Sequence, residues 1–112
     1  MNHTAYSRIT RTLATLREIY ADMPAPMILV LLEVAQSGED GLNVTQVMKR
    51  LGLSQSSASR HCRMLSKSGP NGRTGLNLCD WSLDPDDPRS RLLSLNDNGR
   101  ALVARLEQSL TA

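Results

Sequence analysis

Residues 43–67 read NVTQVMKRLGLSQSSASRHCRMLSK, and their spacing predicts two short helices joined by a tight turn at Leu51, Gly52, Leu53 and Ser54. Asn43 can cap the first helix, with Gln46 three residues on as its capping-box partner. Val44, Val47, Met48 and Leu51 then fall at helical spacing. Gly52 accepts a positive φ, which ends that helix. Ser54 can cap the second, expected over 54–67, whose Ala58, Cys62 and Leu65 share one face. At about 100° per residue, Ser56, Ser59, Arg60, Arg63 and Lys67 project from the other side. That side holds three cations, two hydroxyls and no acid, a surface suited to phosphates and base edges.

Charge is concentrated in the same region. Between Gly41 and Cys79 stand six basic residues (Lys49, Arg50, Arg60, Arg63, Lys67 and Arg73) and no Asp or Glu. The whole chain carries 13 basic and 11 acidic residues, so its net charge of +2 says little by itself. The local asymmetry matters more, because an acid-free basic segment attracts a polyanion.

With 112 residues the chain is expected to be one domain, residues 1–112, built on one core. Phe is absent, and Trp81, Tyr6 and Tyr20 are the only aromatics, so the core is expected to be aliphatic and helical. Few aromatic rings also argue against single-stranded nucleic acid, which is held by base stacking. The apolar run Met27–Leu32 is too short to span a bilayer, and MNHTAYSRITR has no apolar core of a secretory signal. Cys62 and Cys79 form no CxxC pair, so free thiols and a cytoplasmic location are expected.

Outward from the central pair, Tyr6, Ile9, Leu13, Leu16 and Tyr20 form the apolar stripe of a helix over 4–21. After Pro24 and Pro26, residues 26–36 are apolar nearly all round and predict a buried central helix. Residues 68–75, SGPNGRTG, are expected to be a loop. Strands are expected over 76–83 and 91–95, with a long, charged tip, DPDDPRS, between them. Asn96 can cap a last helix whose stripe is Leu102, Val103, Leu106 and Leu110. The predicted fold is mainly α with a small β-hairpin, a winged helix–turn–helix with the wing over 76–95. Such an architecture lays the second helix of the pair in a major groove, with the hairpin on the flanking backbone or minor groove.

LGLSQSSASR (51–60) and DPDDPRSRLLSLNDNG (84–99), in this order, resemble the MarR family of bacterial transcriptional regulators. The resemblance covers about residues 26–110. It implies a homodimer, most often a repressor, that binds a pseudo-palindromic operator in double-stranded DNA. The helices at 4–21 and 97–110 would then form the dimer interface. The resemblance matches Gln55, Ser56, Ser59, Arg60 and Arg63 to DNA contacts, Arg89 and Arg91 to the basic wing tip, and Thr45 to a phosphate contact. Three departures stand out: the chain stops soon after Leu110, Pro88 replaces a common wing arginine, and the 68–75 loop is long. A trimmed interface leaves less room for the phenolic-ligand pocket of many family members, so no small-molecule effector is assumed.

Residue by residue, Arg60 and Arg63 can each read guanine or grip phosphate, with phosphate the better expectation for Arg63 and Lys67. Ser54 is expected to cap; Ser56 and Ser57 can cap or contact DNA. Cys62 is expected in the core, His61 at its edge, and His3 in a fraying terminus, with no metal-ligand company. Asp84, Asp86 and Asp87 read as turn formers that place negative charge near Arg89. No catalytic set, phosphate loop or cofactor motif presents itself, so an enzyme is not expected. The alternative is a winged-helix module that binds a protein and not DNA, since folds do not dictate function.

Overall fold

The computed structural model describes residues 3–111, His3 by its backbone alone, and that backbone begins a helix where a fraying terminus was expected. The elements are α1 (His3–Ile19), α2 (Ala25–Ser37), α3 (Val44–Leu51), α4 (Gln55–Leu65), β1 (Cys79–Asp84), β2 (Asp87–Leu95) and α5 (Asp97–Thr111). Short 3-10 turns occupy Gly38–Asp40 and Pro70–Gly72. This is a winged helix, in the expected order.

The central pair forms for the reasons its residues give. Asn43 Oδ1 accepts from Gln46 N at 2.8 Å, and Gln46 Oε1 accepts from Asn43 N at 2.9 Å, a complete capping box. Gly52 ends α3 at φ 66° and ψ 31°, a conformation that costs glycine little. Ser54 Oγ then accepts from Ser57 N at 3.1 Å and starts α4. Val47 of α3 and Ala58, Cys62 and Leu65 of α4 are buried with Met27, Val30, Leu31 and Val34 of α2 in one core. The central helix is less enclosed than its composition predicts, because Leu29 and Leu32 stay exposed on one side.

Expectation and structure differ at the end of α4. The helix stops at Leu65, so Lys67 lies beyond it and not on its outer face. Ser66 explains the stop: its hydroxyl donates to Arg63 O at 2.7 Å and its backbone turns extended. Residues 76–78 are not strand either. Leu76 N donates to Met64 O at 2.8 Å, Asn77 N to Ser66 O at 3.1 Å and Leu78 N to Leu65 O at 2.9 Å. This strap ties the wing to the last turn of α4.

The second strand of the wing is longer, and the tip shorter, than expected. The chain reverses at Pro85 and Asp86, with Asp84 opposite Asp87 and a register shift next to Leu83. Arg89 and Arg91 are therefore strand residues, not tip residues. A further pairing extends the sheet: Leu42 N donates to Leu93 O at 3.0 Å, and Leu93 N to Leu42 O at 2.8 Å. After β2, Asn96 Oδ1 accepts from Gly99 N at 3.0 Å and caps α5 as expected.

α5 packs against α1, where Arg105 Nη2 meets Glu18 Oε2 at 2.6 Å and the Thr12 and Ser109 hydroxyls lie 2.5 Å apart. The face of α1 turned to α5 thus includes Thr12, while Ile9 and Leu13 remain 51% and 49% exposed. The apolar stripe is only partly covered within one chain. No helix among the described residues is long and apolar enough to cross a membrane.

Candidate nucleic-acid interface

α4 presents Gln55, Ser56, Arg60 and Arg63 to solvent, while Ser57 and Ser59 are half-buried. Ser57 spends its backbone N–H on the Ser54 cap, and the Ser56 hydroxyl lies 3.3 Å from that of Ser54. Among the described residues Arg60 and Arg63 make no ion pair, which suits both cations to meet a phosphate or a base edge. The ion pair of Arg50 with Glu33, at 3.4 Å, joins α3 to α2 and does not involve this face.

Between the start of α3, the outer face of α4 and the wing runs a cleft of about 500 Å³. Thr45, Ser59, Arg63, Arg89 and Arg91 all line it, so residues spread over three elements converge on one surface. The acid there is Asp87, whose Oδ1 accepts the Arg89 backbone N–H at 3.0 Å and lies 3.8 Å from Arg89 Nε. A neighbouring cleft of about 320 Å³ brings Lys67 to Arg63 and Arg91, although Lys67 lies past the end of α4. Gln55, Ser56, Ser57 and Arg60 line neither cleft; the first three stand at the start of α4 and Arg60 midway along it.

Sequence reasoning missed Trp81, which lines both clefts and lies under the Arg91 guanidinium, 4.8 Å from its ring centroid. A signal was present: with period two, Cys79, Trp81 and Leu83 share one face of an expected strand, and that face leads outward from the core. It also missed Leu42, whose pairing with Leu93 anchors the base of the wing.

The thiols lie behind this surface. Burial pushes Cys62 up to about 11, and burial, then Cys62 and Asp80, push Cys79 up to about 12. The Cys62 thiolate fraction at pH 8 is then about one part in a thousand. An aromatic disulfide reagent is therefore expected to modify neither cysteine of the folded protein within minutes, and both after denaturation. Rapid release of one equivalent from the native chain would show a reactive thiol. His61 is buried, not at the edge, and burial, then the Arg60 charge, lower its pKa. Among the described residues, no three His, Cys, Asp or Glu side chains gather as a metal-holding group.

No protein-family model and no curated protein matches the sequence. Solved structures do match the fold. The DNA complex of MepR from S. aureus aligns with 93% of this chain and 76% of its own, at 18% identity and a TM-score of 0.74. RV1404 from Mycobacterium tuberculosis aligns with 91% of this chain at 17% identity and TM-score 0.68, and the chain spans 63% of that protein. The PcaV transcriptional regulator from Streptomyces coelicolor aligns with 96% of this chain and 73% of its own, at 25% identity and TM-score 0.62. The fold is that of the MarR family of transcription regulators.

Proposed function

On the premise of a MarR-family fold, we propose that this chain is a sequence-specific, double-stranded DNA-binding transcriptional regulator that acts as a homodimer in the cytoplasm. In this reading α4 enters the major groove. Gln55 and Ser56 at its start, and Arg60 midway along it, meet base edges. Arg63 and Lys67 grip phosphates, with Thr45 at the start of α3 and Arg89 and Arg91 on the wing. The observation that carries the reading is the convergence of Thr45, Ser59, Arg63, Arg89 and Arg91 on one cleft beside the exposed Arg60. A phosphate backbone is a row of regularly spaced anions, and this surface offers cations from two elements on one cleft.

Homodimerisation is the part of the proposal that rests on α1 and α5. Ile9, Leu13 and, on α5, Leu110 are about half exposed, and a second copy would cover them. Two α4 helices then face two half-sites, which is why a pseudo-palindrome is expected. A dimer seated on a promoter excludes polymerase, so repression is the sign we assign. The protein-binding alternative has Leu83 of the wing and Leu29 and Leu32 of α2 in its favour, and scattered exposed leucines are ordinary.

The experiment is selection of a binding site from random duplexes, followed by titration with Arg60→Ala. Loss of a base contact is expected to cost about 1–3 kcal/mol and to relax the preference at one position of each half-site. Unchanged affinity and preference in that variant would remove Arg60 from the interface.

A further inference from the structure

One face of the wing runs outward from the core through the opposed pairs Cys79/Leu95, Trp81/Leu93 and Leu83/Arg91. Cys79 and Leu93 are buried, whereas Leu83 at the outer end is 78% exposed. Arg91 stands opposite Leu83, yet its guanidinium lies over the ring of Trp81, one step back toward α4. An arginine near the end of a hairpin otherwise samples many rotamers. Contact with an indole face is the strongest of the aromatic cation interactions and restricts that freedom.

Trp81, Arg63 and Arg91 are also the residues common to both clefts of the nucleic-acid interface. Each carboxylate that lines those clefts has a partner other than Arg63 and Arg91. Asp80 Oδ1 accepts from Asn96 Nδ2 at 3.3 Å, and Asp87 is bound to Arg89 as described. Two guanidinium groups are thus left around one indole, at the junction of recognition helix and wing.

We propose that Trp81 is a positioning residue: its indole holds Arg91 on the Arg63 side of the wing, so that the two arginines close on a single phosphate of the DNA backbone. This rests on the DNA-binding reading above and deepens it. Arginine forks suit phosphate oxygens, and a guanidinium already held in place loses less freedom when the phosphate arrives. The contact carries no base information, because it is made to the backbone.

A duplex of about 30 base pairs and random sequence therefore serves as the probe, titrated by fluorescence anisotropy between roughly 50 and 200 mM salt. Arg91→Ala is expected to lower the slope of log affinity against log salt by about one. Trp81→Ala is expected to lower it as much, with binding weakened about two- to fivefold, and Trp81→Phe to keep most of both. Adding Arg91→Ala to Trp81→Ala should cost nothing further, as for two members of one contact. A merely structural tryptophan would lower affinity and leave the slope alone. Should Trp81→Ala melt below the assay temperature, Trp81→Leu replaces it, since leucine fills space but offers no ring face. An unchanged slope in the Trp81 variants, or in Arg91→Ala, overturns the positioning role while the DNA reading stands. Wild-type protein that binds the duplex without salt sensitivity overturns the DNA reading, and the inference with it.

Discussion

Replacing Ile9 and Leu13 together by glutamate is expected to turn a dimer into a monomer and to weaken binding to a two-half-site duplex by about 10²–10⁴-fold. The size of the effect follows from multivalency. Once one α4 is seated, the second searches a small volume around its half-site, and that effective concentration vanishes when the subunits part. Ile9 and Leu13 suit the test because each is about half exposed within a single chain. Glutamate there can stay hydrated in the monomer, but in a dimer interface four carboxylates would face desolvation and one another. The inner contacts of α1, Thr12 with Ser109 and Glu18 with Arg105, are left in place. Sedimentation velocity reads the subunit state, and titration of a single half-site reads the intrinsic affinity, expected to be unchanged. A variant that remains a dimer would move the interface away from this stripe.

The second large effect is on stability. Gly75→Ala is expected to cost about 3 kcal/mol and to lower Tm by about 10–20 °C. A Cβ at Gly75 would lie 1.8 Å from Ser66 O and 2.8 Å from Ser66 C, backbone atoms that cannot swing aside. Relief requires the strap 75–78 to lift from the end of α4. That in turn breaks the bonds from Gly75 N to Lys67 O and from Leu76 N to Met64 O, at 3.0 and 2.8 Å. The matched control is Gly52→Ala, where φ is +66° and ψ 31° and nothing lies within 4 Å, so only the left-handed dihedral penalty of about 1–2 kcal/mol applies. Equal costs at the two positions would show that the close approach at Gly75 is not what holds the strap.

The same strap shows where sequence patterns stop informing. α3 and α4 were legible because each is bounded by residues that act locally: the Asn43–Gln46 box, Gly52 and Ser54. Every one of those bonds spans only a few residues. The end of α4 was less clear, because Arg63 and Lys67 continue the helical spacing while Ser66 takes the Arg63 carbonyl and stops it. Leu76–Leu78 alternate like a strand, but their N–H groups meet α4, a choice made by tertiary packing. The turn formers in DPDDPRS concealed that Asp87–Ser90 already belong to β2, since register is set by the two-residue reversal at Pro85 and Asp86. That error moved Arg89 from an expected tip onto the strand, where Arg91 was already expected. Trp81 was overlooked for a related reason: its partner Arg91 is ten residues away, and only the register brings them together.

The candidate surface was read in two parts. The outer face of α4 follows from 100° steps along one helix, and Gln55, Ser56, Arg60 and Arg63 are exposed there. Its union with Thr45 and the wing arginines depends on how three elements pack, which no local pattern encodes.

The most direct test of the central claim is a gel-shift titration against the DNA upstream of the protein's own gene, at low and at physiological salt. Wild-type protein and the Arg60→Ala/Arg63→Ala double variant are run in parallel. A sequence-preferring complex that weakens steeply with salt and is lost in the double variant is expected. A double variant that binds the same duplex as tightly as wild type, with the same salt dependence, would contradict that claim.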